Sequence, residues 1–212
     1  MTDEKYLEDL REIRSIMSKS TRFISLSGLS GVMAGIYAII GAVLGHYVIT
    51  DAYQKGYNES MGKLFTEPWE SNPSLKIIFI AANVLVFSII TAIILTSKKA
   101  SRQNQKIWKQ QSIRLTVQFA VPLVIGGIFS LFLLKYGLLS FLAPTMLIFY
   151  GMACIMAAPY TLGTVRYLGI SCVILGLINM QFLTYGIYFW AAGFGLCHIL
   201  YGAIMYYKYD RN

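Results

Sequence analysis

The 212-residue chain is poor in charge, and the charge it has is unevenly spread. Only 13% of residues are Asp, Glu, Lys or Arg, about half the share of a soluble domain. None falls in residues 23–50, 77–97, 115–134, 136–165 or 167–207, stretches of 28, 21, 20, 30 and 41 residues. A soluble fold would expose much of this apolar sequence to water. Histidine is nearly absent, with His46 and His198 alone, and neither has a ligand partner at helical spacing. At 1.5 Å per residue the two differ in expected depth by ~10 Å, too far apart to be axial ligands of one haem. The three cysteines, Cys154, Cys172 and Cys197, are odd in number and lack metal-ligand spacing, so they read as small apolar packing residues. Without buried carboxylates, a Ser/His/Asp set or a phosphate loop, the residues offer nothing for an enzyme. No cofactor, metal or catalytic residue is expected.

What is present is apolar length. About 20 apolar residues cross a hydrocarbon core about 30 Å thick. The first three uncharged stretches fit one crossing each, the fourth one crossing plus a polar connection, and the fifth two crossings around a tight turn. The expected fold is therefore all-α and polytopic. A transmembrane domain over 23–207 holds six helices, at about 23–49, 75–96, 115–134, 138–158, 168–184 and 187–207. It is preceded by an amphipathic helix at 1–22 and followed by a tail at 208–212. Pro122 and Pro144 are expected to kink the third and fourth helices.

The surplus of base fixes the expected orientation. Placing the termini and the even connections on one side gives that side 14 of the 18 basic residues and leaves 4 on the other. The positive-inside rule then puts both termini in the cytoplasm of a cell membrane. The net charge of +8 follows this layout, so nucleic acid is not an expected partner.

The leader carries Tyr6, Leu10, Ile13 and Met17 on one stripe of a 3.6-residue period, with five acidic and five basic residues on the other faces. That stripe is a candidate surface for a cytoplasmic protein partner, or for packing on the bundle or the bilayer. In the first crossing, Ser27, Gly31 and Gly35 recur every four residues, as do Gly41 and Gly45. Small residues let membrane helices approach closely, either within the bundle or in a homo-oligomer. Counting depth from the outer surface groups Asn83, Thr145, Tyr150, Asn179 and His198, a candidate polar pocket or a set of interhelical hydrogen bonds. An offset of 49 residues aligns Tyr136-Gly137 with Tyr185-Gly186 and Gly127 with Gly176, which reads as a duplicated hairpin or as chance among apolar segments.

The run from Tyr6 to Gly35, with Ile13-Arg14 and then Arg22-Phe23-Ile24-Ser25-Leu26-Ser27-Gly28-Leu29-Ser30-Gly31, resembles a group of bacterial six-helix inner-membrane proteins with no assigned activity. The resemblance implies a bacterial cytoplasmic membrane and draws attention to the leader–helix junction. It brings no catalytic or binding residue. The expected function is that of a non-enzymatic sensor or regulatory scaffold acting through the leader. The alternative is a small transporter or channel-like protein for a neutral or lipidic solute.

Overall fold

A computed structural model describes residues 27–54, 72–102, 110–161 and 164–210. The leader, with Tyr6, Leu10, Ile13 and Met17, lies outside the described residues. Those described are helical, without a strand among them. The helices are α1 (Gly28–Gln54), α2 (Pro73–Arg102), α3 (Gln110–Lys135), α4 (Leu142–Ala157) and α5 (Val165–Asn179). A last composite helix, α6, runs over 186–210. Among the described residues, five segments are long and apolar enough to cross a membrane: Gly28–Ala52, Pro73–Arg102, Gln110–Lys135, Leu139–Tyr160 and Leu183–Lys208.

The fifth expected helix differs. It was expected over 168–184, yet α5 ends at Asn179 after 15 residues, or ~22 Å of rise. The amide of Asn179, fully buried, donates to the Phe182 carbonyl at 3.0 Å and holds the chain in a turn. Helix α2, expected over 75–96, is longer and runs over Pro73–Arg102. Asn72 caps α2 by accepting from the backbone N–H groups of Ser74 and Leu75, at 3.1 and 3.2 Å. Pro73 takes the first helical position, where its missing N–H costs nothing.

Many small residues pack inside, around a few large ones such as Leu147 and Met205, while many large apolar residues lie outside. Ala38, Ala42, Ala153, Cys154, Ala157 and Cys172 are buried, whereas Phe79, Leu85 and Ile93 of α2 and Val124 and Leu131 of α3 are exposed. The helix pairs α1–α2, α1–α6, α3–α4 and α4–α5 form the bundle. Two seams rest on glycine. A Cβ on Gly35 would stand 2.6 Å from the Gly195 carbonyl of α6, and one on Gly202 would stand 2.4 Å from the Val32 nitrogen of α1. Gly151 of α4 and Gly169 of α5 meet in the same way: a Cβ on either would stand 2.6 Å from the other's carbonyl oxygen.

The two hairpins match at a different offset from the one expected. Gly137, at φ 72°, closes α3: Gly137 N–H donates to Leu134 O at 3.1 Å and Leu138 N–H to Leu133 O at 2.8 Å. Gly186 is instead an ordinary right-handed residue in the first turn of α6. The equivalent elements are the single 3-10 turns Leu139–Phe141 and Leu183–Tyr185, which lead into α4 and α6 and stand 44 residues apart. At the expected offset of 49 the environments disagree too, since Gly176 is pressed against α4 while Gly127 faces open space.

Candidate functional site

Two polar clusters stand out in an otherwise apolar bundle. The first lies inside it. Over Ala191–Leu196 α6 widens into a π turn, which leaves backbone carbonyls less completely covered than in an α-helix. The Gly193 carbonyl there accepts from Nδ1 of His198 at 3.0 Å. A carbonyl only accepts, so Nδ1 carries the proton and Nε2 carries the lone pair. That lone pair receives the Tyr150 hydroxyl of α4 at 2.6 Å. Phe119 meets the Tyr150 ring edge-on at 5.8 Å, and Phe194 stacks on His198 at 6.0 Å. Gly193 has no side chain because Leu147 fills the place, 2.3 Å from where a Cβ would stand.

Of the five residues grouped by depth, the hydrogen bonds join Tyr150 and His198. Asn179 serves the α5 turn, and Thr145 is buried on α4. Asn83 donates back to Phe79 O of its own helix at 2.8 Å, on α2, which packs chiefly on α1. The arrangement is a satisfied interhelical pair within an aromatic shell. No group of three or more His, Cys, Asp or Glu able to hold a metal occurs among the described residues.

The second cluster lies at one end of the bundle and centres on Asp210. Its Oδ2 accepts the Gly28 backbone N–H, the first of α1, at 2.8 Å, and the Ser27 hydroxyl at 3.4 Å. Its Oδ1 pairs with Lys99 Nζ of α2 at 2.5 Å. One carboxylate thus ties the start of α1 to the ends of α2 and α6. It also satisfies an orphan helix N–H and complements the positive end of the α1 dipole. Ser30 adds a bond to Ser27 O at 2.6 Å.

The small residues of α1 divide by position. Gly31 and Gly35 face the α6 backbone, Ser27 sits at the Asp210 cluster, and Gly41 faces Val84 of α2. A Cβ on Gly45 would meet nothing but the Ile187 side chain, at 3.1 Å. The Asp210 cluster was missed in the sequence, where its only trace is a lone acid in a basic tail. Comparison with known proteins adds no relative: no family model, curated protein or solved structure matches the chain.

Proposed function

We propose that this chain is a six-crossing membrane protein with both termini in the cytoplasm, acting as a non-enzymatic sensor or regulatory scaffold through its leader. The short α5, fifth in chain order, brings the crossings to six, extended by the turn that follows it. The basic surplus on the side of the termini supports the orientation. The resemblance of the leader–helix junction to bacterial inner-membrane proteins supports a bacterial cytoplasmic membrane.

The observation that carries the regulatory reading is the Asp210 cluster. It gathers the start of α1, where the leader attaches, the end of α2, where the basic connection begins, and the C-terminal end of α6. A partner pulling on the leader therefore acts on a junction shared by three helices. A second reading, transport of a neutral or lipidic solute, is favoured by one feature, a cleft at the opposite end of the bundle.

Affinity purification of the full chain in mild detergent separates the two. The regulatory reading expects a stoichiometric soluble partner that is lost from the Leu10→Asp/Ile13→Asp double variant, with insertion and melting temperature of the bundle unchanged. A wild-type protein that brings down no partner, or a double variant that keeps it, overturns that reading. Recovery of a lipid or solute alone supports the second.

A further inference from the structure

We propose that the cleft opposite Asp210 is a binding site for a neutral, single-chain amphiphile, held with its chain pointing into the bundle. The site goes beyond the regulatory reading and needs no partner on the leader. Its volume is about 370 Å³, near the small end of the 300–1,000 Å³ range of small-molecule sites. It is bounded by the end of α1, the start of α2 and the 3-10 turns that enter α4 and α6.

The lining has a polarity gradient. At the outer end stand Thr50 of α1 with Ser140 and Thr184 of the two turns; His46 lies about 6 Å further in, and Ile80, Met146 and Trp190 line the wall. From Thr50 to Gly41 the cleft follows α1 for ~13 Å, about the depth of one leaflet's hydrocarbon. A polar mouth over an apolar shaft fits a molecule with one polar end and one chain. Among the described residues the lining contains no Asp, Glu, Lys or Arg, so a charged head would find no counter-charge among them in a low-dielectric site.

Two further features argue that the space is kept open by the sequence. Leu139–Phe141 and Leu183–Tyr185 occupy equivalent places in the two hairpins and bracket the cleft with Ser140 and Thr184, a hydroxyl from each. Gly45 is the other. Unlike Gly31 and Gly35, it makes no close backbone approach, and a side chain there would enter the cleft at the expense of Ile187 alone.

The test uses the full chain in phosphatidylcholine nanodiscs and a monoacylglycerol bearing a photoreactive diazirine in its chain. The comparison probes are a fatty acid and a phosphatidylcholine with the same diazirine chain. Saturable labelling by the monoacylglycerol is expected, competed by unlabelled monoolein and mapping to residues 41–52 and 183–190. The fatty acid and the phosphatidylcholine should give only non-saturable labelling of outer faces. Gly45→Leu should reduce saturable labelling about tenfold by occupying the space, and Thr184→Val about threefold to tenfold by removing a hydrogen bond. Thr184→Val keeps the side-chain shape, so it reads the site even if Gly45→Leu does not fold. Non-saturable labelling by the monoacylglycerol, equal saturable labelling by the fatty acid, or labelling unchanged in both variants overturns the proposal.

Discussion

The Asp210 carboxylate accepts the first N–H of α1, from Gly28, at 2.8 Å across 182 residues of sequence. The same carboxylate pairs with Lys99, so removing it takes the acceptor from a helix-end donor and this ion pair from a largely buried ammonium. Asp210→Ala is expected to lower stability in detergent by about 1–3 kcal/mol. Asp210→Asn keeps an acceptor for Gly28 and should lose less. A double-mutant cycle with Lys99→Met, read by thermal melting, measures the coupling. Additive losses would show that the ion pair contributes nothing.

Glycines in this bundle are expected to respond oppositely according to what faces them. Alanine favours a helix over glycine by about 1 kcal/mol. At Gly127, where a Cβ meets nothing within 4 Å, Gly127→Ala should raise the melting temperature. At Gly35 the new methyl would press on backbone atoms of α6, the Gly195 oxygen at 2.6 Å and the Ile199 nitrogen at 2.9 Å. Overpacking costs about 1–3 kcal/mol, so Gly35→Ala should lower the melting temperature. Equal shifts for the two variants would contradict the α1–α6 seam.

The Tyr150–His198 pair is expected to be structural. Tyr150→Phe deletes one hydroxyl and leaves Nε2 of a buried imidazole unsatisfied, at a cost of about 1–3 kcal/mol. Replacing both partners, as Tyr150→Phe with His198→Phe, should recover part of that loss, because Nε2 is then gone together with the hydroxyl that served it, even though the Gly193 carbonyl loses the Nδ1 donor. Recovery would be read in melting curves. A double variant as unstable as the sum of the two single variants would argue against the hydrogen bond as the coupling.

How much of this was legible in the sequence differs by feature. The apolar helices follow from charge-free length, which needs no knowledge of neighbours. Counting residues along a helix gives depth but not direction around the axis, so Asn83 was grouped with His198 although it sits on α2 and bonds to Phe79. The early stop of α5 depends on a local Asn179–Phe182 bond inside an uninterrupted apolar run. The Asp210 cluster joins residues from three helix ends and leaves no periodic trace. The Tyr-Gly pairs misled on the hairpins because the chain uses one glycine to end a helix and the other inside the first turn of the next.

The central claim, a membrane bundle whose leader, basic connection and tail share the cytoplasmic face, is tested most directly by cysteine accessibility. In a background with Cys154, Cys172 and Cys197 replaced by alanine, Ser60→Cys, Gln105→Cys and Asn212→Cys are each treated with a membrane-impermeant maleimide on intact cells. Labelling at position 60 alone is predicted, with 105 and 212 reacting only after permeabilisation. Labelling of 105 or 212 from outside would contradict the orientation. Finding those two positions on opposite sides would further break the pairing of Lys99 with Asp210 on one face.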